Sequence, residues 1–221
     1  LLHERDFLYF KLFLVHFNVR YLLFFLLSMC IPIAGISQEK QYKFLALGDS
    51  YTAGTGETLQ NSWPVQFVAS LKKKGIVVTQ SKTIAKAGWT TTDLLKEVAN
   101  EEETDYDLVT LLIGVNNQYQ GIDPALFEKE FLLLLEQSVL FANNDPSRVF
   151  VLSIPDWSVT PFAKYKAKDK IVKELDTYNT FIEATAKKRG VTFIDITKIS
   201  RNAEVNSALI ASDSLHPSKR M

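Results

Sequence analysis

Short apolar runs alternate with longer amphipathic segments along residues 42–196, and this alternation restricts the fold more than any other feature of the chain. Residues 42–47 and 108–113 are nearly continuous apolar runs, as strands buried on both faces require. Residues 76–85, 149–154 and 191–196 read as further strands, rich in β-branched side chains. Between them, residues 63–74 show helical spacing through Val65, Val68, Ala69 and Leu71 and stop at Gly75, a C-terminal cap. Residues 91–102 read as a helix, with Thr90, Thr91 and Thr92 offering hydroxyls for its N-cap. Residues 124–142 open with Pro124 in the first turn, and residues 167–189 close at Gly190. Five strands separated by helices predict one α/β domain, a doubly wound parallel sheet between two helical layers. Ligands bind such sheets at the carboxyl ends of the strands. Ser50 follows the first predicted strand, Gly88 the second, Asn116 the third and Trp157 the fourth.

A chain of 221 residues suffices for one domain with a sizeable core. Lys plus Arg and Asp plus Glu both number 25, so charge gives no reason to expect nucleic acid or an anionic surface as a partner. No internal repeat or low-complexity tract is evident.

Residues 1–37 have a different character. Arg20 precedes an almost wholly apolar stretch, residues 21–36; the small residues Ala34, Gly35 and Ser37 follow, and then Gln38, Glu39 and Lys40. This is the order of a secretory signal, with cleavage expected near Ser37 and Gln38. The expectation is a leader over 1–37, a folded domain over 38–221, and a secreted or periplasmic protein. An uncleaved membrane anchor is the alternative and would be the only membrane contact, although the apolar run is short for a full span unless residues 7–17 contribute. The chain does not begin with Met, and Met29 used as an internal start would leave too little apolar length for export. Cys30 is the only cysteine and lies in the leader, so residues 38–221 hold neither a disulfide framework nor a thiol nucleophile. The small residue that a lipoprotein signal places before its cysteine is replaced by Met29. Removing the leader takes the basic residues from 25 to 22 and the acidic residues from 25 to 23, and removes His3 and His16. His216 is then the one histidine.

That histidine stands in Asp213-Ser214-Leu215-His216-Pro217. A spacing of three lets the Asp213 carboxylate approach the near ring nitrogen, fix the tautomer and stabilise an imidazolium. A surface histidine near a chain end is the plainer reading. Ser50, in Gly48-Asp49-Ser50-Tyr51-Thr52-Ala53-Gly54, is a hydroxyl at a strand end, and a helix-capping serine is its plainer reading. The Gly-x-Ser-x-Gly elbow does not fit, because Thr52 stands at its second glycine, and no Gly-Lys-Ser/Thr follows to make a phosphate loop. Asp49 reads as a hydrogen-bond acceptor in the loop rather than a triad acid. Gly88 offers a backbone N–H, Asn116 a side-chain amide and Ser50 its own N–H, three donors of the kind an oxyanion needs. A turn glycine and a loop asparagine would look the same.

Together these residues resemble the SGNH hydrolases, also called the GDSL esterase/lipase family, named for a serine, a glycine, an asparagine and a histidine in four blocks. The blocks here are Gly48-Asp49-Ser50-Tyr51-Thr52, Ala87-Gly88-Trp89-Thr90-Thr91, Gly114-Val115-Asn116-Asn117 and Asp213-Ser214-Leu215-His216-Pro217, in the family's order across residues 42–218. The resemblance implies a flavodoxin-like three-layer fold and hydrolysis of carboxylic esters with no metal or cofactor. It assigns Ser50 as nucleophile, His216 as general base and then acid, Asp213 as the orienting carboxylate, and the Ser50 amide, Gly88 amide and Asn116 side chain as the oxyanion hole. Two departures stand out. The third block usually ends in aspartate, and Asn117 replaces it, which implies the loss of a local charged contact. The family usually adds a helix after the histidine block, whereas this chain stops at Met221; the expectation is a truncated C-terminus and a less firmly held Asp213–His216 loop.

Trp89, Tyr119, Trp157 and Phe162 fall in the predicted site loops and are candidates to line an acyl or sugar pocket, with packing at the sheet edge as the alternative. Residues 156–170 are placed to cover the site. A small-molecule or carbohydrate ester with a short acyl group, such as acetyl, is the favoured substrate. A lysophospholipase or thioesterase would share the same triad. A catalytically silent cell-surface protein that binds glycan or acts as a scaffold is the alternative from another class, and it has no need of Ser50, Gly88, Asn116, Asp213 and His216 together.

Overall fold

The computed structural model describes residues 40–221; the leader, with Cys30 and the expected cleavage point, lies outside them. Five strands, β1 (Gln41–Gly48), β2 (Val77–Ala85), β3 (Leu108–Leu112), β4 (Val149–Leu152) and β5 (Thr192–Ile194), form one sheet in the order β2-β1-β3-β4-β5. Every pairing is parallel. The helices are α1 (Ser50–Ala53), α2 (Trp63–Lys73), α3 (Thr91–Val98), α4 (Val115–Tyr119), α5 (Pro124–Phe141), α6 (Lys168–Lys188) and α7 (Thr197–Arg201). This is the expected parallel α/β architecture.

Side chains alternate across a strand, so neighbours in β1 serve different layers. Phe44 meets Trp63 and Phe67 of α2, with ring centroids 6.2 and 5.3 Å away. Leu45 and Leu47 belong to the larger core on the other face, where Val109, Leu111, Val149 and Val151 pack under Phe127, Phe131 and Leu134 of α5 and Leu175 and Ile182 of α6. Nearly all of these side chains are fully buried, which explains why the central strands are apolar almost throughout. The edge strand β2 is different: Ser81, Lys82 and Thr83 are exposed.

Three elements end two or more residues sooner than the pattern predicts: β5, expected over 191–196, stops at Ile194, and for the other two the reason is identifiable. The helix expected over 91–102 stops at Val98. Glu101, Glu102 and Glu103 would put three carboxylates at its negative end. Instead Glu101 pairs with Lys82 of β2 at 2.5 Å and Glu103 with Lys43 of β1 at 2.6 Å. The strand expected over 149–154 stops at Leu152. Beyond it, the Ile154 N–H donates to Asn179 Oδ1 at 2.7 Å and the Asn179 side-chain amide donates back to the Ile154 carbonyl at 3.1 Å, so α6 supplies the partners the sheet no longer provides.

The turn from β1 into α1 decides where Ser50 stands. A β-carbon on Gly48 would lie 2.4 Å from the Leu112 carbonyl oxygen and 2.3 Å from Thr52 Oγ1, so only glycine lets this strand end lie against β3 and the helix at once. Asp49 is the N-cap of α1, its Oδ1 accepting from the Tyr51 N–H at 3.0 Å. Its Oδ2 is buried without a hydrogen-bond partner. Burial pushes the Asp49 carboxyl up to about 7, against the opposing pull of the Tyr51 N–H and its own.

Two outcomes follow from this turn. Gly48→Ala is expected to lower stability by about 1–3 kcal/mol through overpacking, read as a reduced urea midpoint at unchanged slope. A carboxyl whose pKa is raised by folding favours the folded state while protonated; its contribution is complete below the unfolded value near ~3.9 and is lost as pH rises through about 7. Asp49→Asn keeps the acceptor for Tyr51 and removes this titration. Wild type should therefore lose up to a few kcal/mol more than the variant between about pH 5 and about pH 8 in urea titrations.

Candidate active site

The parallel register brings three strand ends level. Gly48, the last residue of β1, lies opposite Ala85 of β2 on one side and Leu112 of β3 on the other. The chain leaves these ends through Ser50, through Ala87 and Gly88, and through Val115 and Asn116. All five line one cavity of about 190 Å3, joined by Tyr51, Tyr119, Trp157, Phe162, Leu215 and His216. Ser50, Gly88, Asn116 and His216, far apart in sequence, thus share a single pocket.

Ser50 is the first residue of α1 and is almost wholly buried. Gly88 adopts a left-handed backbone with φ of 85°, and nothing lies within 4 Å of where its β-carbon would stand. Asn116 is partly buried on α4, and its Nδ2 donates to the Trp89 carbonyl at 2.9 Å. That bond uses one of the two amide protons and sets the plane of the side chain.

The loop after α7 holds the histidine. Ile210 and Pro217 form an antiparallel bridge, and the Ala211 N–H donates to the His216 carbonyl at 2.8 Å. Inside this narrow loop the Asp213 carboxylate works with both oxygens. Oδ1 accepts from the N–H groups of Leu215 at 3.0 Å and His216 at 2.9 Å, and Oδ2 meets His216 Nδ1 at 2.6 Å. Burial would raise the Asp213 carboxyl, but the N–H and ring of His216 and the N–H of Leu215 outweigh it and hold it below the usual carboxylate range. An ionised Asp213 makes Nδ1 the protonated nitrogen and leaves Nε2 as the basic one. The His216 side chain is 12% exposed, and the Tyr51 ring stands edge-on to it at 5.8 Å between centroids. Among the described residues no hydrogen bond joins the Ser50 hydroxyl to this ring; both residues line the same cavity.

Three of the four predicted aromatics form one wall. Trp157 lies 5.5 Å from Tyr119 and 6.0 Å from Phe162, centroid to centroid. Trp157 is buried, and its Nε1 donates to Gln118 Oε1 at 2.9 Å; Gln118 Nε2 in turn donates to Glu174 at 2.8 Å. The segment expected to cover the site folds as two short turns, Trp157–Val159 and Pro161–Ala163, and the Phe162 N–H donates to the Ser214 carbonyl at 3.0 Å, joining this wall to the histidine loop. Trp89 is the exception. Its side chain packs against the core, and it enters the site only through the carbonyl that accepts from Asn116. Tyr51 and Leu215, not singled out in the sequence, also line the cavity. Each neighbours a predicted residue, which was the only available signal.

Asn117 carries a different consequence from the one expected. Its Oδ1 accepts from the Thr91 N–H at 3.0 Å and its Nδ2 donates to Thr91 Oγ1 at 2.7 Å. Thr91 Oγ1 then donates to Glu130 at 2.5 Å, and Thr92 Oγ1 donates to the same carboxylate at 2.8 Å. A buried carboxyl is nonetheless part of the network, on Glu130 of α5. Thr90 is the N-cap of α3, and the two threonines after it are turned to this network.

Comparison with known proteins agrees with this arrangement. Residues 46–221 match the GDSL-like Lipase/Acylhydrolase family. Among curated protein sequences none matches the chain. Several solved structures share the fold. The psychrotrophic esterase EstA from Pseudoalteromonas sp. is 16% identical with a TM-score of 0.61, over 81% of this chain and 89% of that one. The lipase/acylhydrolase from Enterococcus faecalis is 19% identical with a TM-score of 0.61, over 80% and 87%. The acetyl xylan esterase Axe2 from Geobacillus stearothermophilus is 19% identical with a TM-score of 0.59, over 81% and 88%. The family match spans most of the chain, and the four motif blocks that define it meet at one sheet edge: the protein belongs to the GDSL-like lipase/acylhydrolase, or SGNH hydrolase, family of carboxylic ester hydrolases.

Proposed function

We propose that this protein hydrolyses short-acyl esters, acetyl esters foremost, through an acyl-enzyme formed on Ser50. The observation that carries the reading is the Asp213 carboxylate held 2.6 Å from His216 Nδ1 while the ring lines the cavity that holds Ser50. In the first half-reaction Ser50 Oγ attacks the ester carbonyl, His216 Nε2 takes the hydroxyl proton, and the same nitrogen returns it to the departing alcohol. In the second, His216 deprotonates a water that attacks the acyl carbon, and the proton goes back to Ser50 Oγ as the acid leaves. Asp213 holds the ring in the required tautomer and balances the imidazolium. The Ser50 and Gly88 N–H groups and the Asn116 amide receive the negative charge that develops on the carbonyl oxygen.

Pocket size supports a short acyl group. About 190 Å3 falls below the roughly 300–1,000 Å3 of sites that enclose drug-sized ligands. The wall of Tyr119, Trp157 and Phe162 supports an alcohol with a flat or ring-shaped face, such as a sugar. The acetyl xylan esterases among the structural neighbours are consistent with that class. The leader supports export, which would bring the enzyme to polymeric or extracellular esters.

Ser50→Ala should remove p-nitrophenyl acetate hydrolysis, a loss on the order of 10^4-fold or more in kcat; equal rates in variant and wild type would overturn the reading. A reactive phosphonate ester, of the class that inhibits the Pseudoalteromonas esterase, should add its mass to Ser50 and leave Ser50→Ala unlabelled. Asn116→Ala should lower kcat by about 10²–10³-fold with little change in KM, as expected of a donor that acts in the transition state. Across p-nitrophenyl esters of rising chain length, kcat/KM should be highest at acetyl or propionyl. A maximum at long chains, or preferred turnover of lysophosphatidylcholine, would transfer the assignment to the lysophospholipase class.

A further inference from the structure

The loop that leaves the nucleophile helix touches the histidine loop on both sides of His216. Gly54 caps α1 in a left-handed conformation, its N–H donating to the Ser50 carbonyl, and two residues later Gly56 adopts φ of 88°. A β-carbon on Gly56 would stand 2.5 Å from Asp213 Oδ2, the same oxygen that meets His216 Nδ1, and 3.0 Å from the Ala211 β-carbon. The next residue, Glu57, accepts from the Lys219 N–H through Oε1 at 2.9 Å and from Asn61 through Oε2 at 2.9 Å. Gln66 of α2 reaches the carbonyl of the same Lys219 at 3.4 Å.

We propose that Gly56 and Glu57 are positioning residues for the Asp213–His216 pair. The inference rests on the catalytic reading above and adds to it the device that sets the base against the nucleophile. Ser50 on α1 and His216 on its loop belong to segments that nothing in the sheet ladder connects. The stretch 54–57 begins at the Ser50 helix and ends against the His216 loop, so it sets their separation. At Gly56 the missing side chain is the functional feature: the backbone can come up to the Asp213 carboxylate without pushing Oδ2 off the histidine. At Glu57 a carboxylate ties the chain beyond His216 to the same loop. Backbone N–H of Lys219 is the main cause that holds the Glu57 carboxyl below its ordinary range, with Asn61 second, so the tie is made by the ionised form at neutral pH.

The test measures kcat and KM for p-nitrophenyl acetate in Gly56→Ala, Asp213→Ala and the double variant. Gly56→Ala should lower kcat by about 10²-fold with KM nearly unchanged, the size expected when a reacting group is misplaced by about 1 Å. On the Asp213→Ala background the same substitution should cost less than about two-fold, because the carboxylate it displaces is gone. Gly75→Ala controls for backbone strain: Gly75 shares the left-handed φ, at 78°, with nothing within 4 Å of its β-carbon position, and kcat should not change. Unchanged kcat in Gly56→Ala, or losses that multiply in the double variant, would overturn the proposal. If Gly56→Ala does not fold, Glu57 decides. Glu57→Ala should then lower kcat about ten-fold, and Glu57→Gln, which keeps an acceptor for Lys219, should retain most of the rate; equal kcat in Glu57→Ala and wild type rejects the tether. A failure of the catalytic reading has a separate signature, full activity in Ser50→Ala and Asp213→Ala, and the positioning role falls with it.

Discussion

The parallel register of β1 against its two neighbours is the constraint on which the rest of the site depends. Because Gly48 is level with Ala85 and Leu112, three chains leave the sheet at one height. A slip of one residue would turn Leu45 and Leu47 out of the main core and move Ser50 relative to Gly88 and Asn116 at the same time. The buried leucines and valines that fix the register for stability therefore fix the site geometry as well. Gly48 sits where these demands meet, since no side chain fits between the Leu112 carbonyl and Thr52.

Much of this was legible in the chain because it is written in local patterns. Apolar runs mark β1 and β3 nearly to the residue, and the four motif blocks mark Ser50, Gly88, Asn116 and His216. What the pattern could not supply depends on contacts between distant residues. The early end of α3 follows from Lys43 and Lys82 drawing Glu103 and Glu101 toward the strands, a competition invisible within residues 91–102. Trp89 looked like a pocket residue because it adjoins Gly88, yet its ring turns to the core while its carbonyl orients Asn116. Of the two readings that position along the chain left open for Trp89, pocket lining and packing, the contacts of its ring show packing.

Asn117 shows how a motif departure can be absorbed. Substituting an amide for a carboxylate keeps the acceptor that holds the Thr91 N–H and gains a donor for the Thr91 hydroxyl. That hydroxyl is then free to give its proton to Glu130, thirteen residues beyond Asn117 on the next helix. A carboxyl group at 117 as well would put two carboxyl groups on one buried threonine, with no cation among the hydrogen-bond partners that link them. Asparagine at 117 and glutamate at 130 are thus mutually consistent, and the contact that one motif position loses is made from α5.

The electrostatics of the site divide into two carboxylates with opposite treatment. Asp213 is one-third exposed and surrounded by donors, so it remains charged beside His216. Asp49 is fully buried with an unpartnered oxygen and adjoins Ser50 in the chain, so its charge is suppressed up to about neutral pH. The difference suits the chemistry of Ser50. In the proposed mechanism, a second full negative charge adjoining the Ser50, Gly88 and Asn116 donors would oppose the charge that develops on the substrate carbonyl, whereas a carboxylate behind His216 would stabilise the imidazolium on the far side of the ring. Burial at Asp49 and donor-rich exposure at Asp213 separate the two groups, and among the described residues no Asp, Glu, Lys or Arg lines the pocket itself.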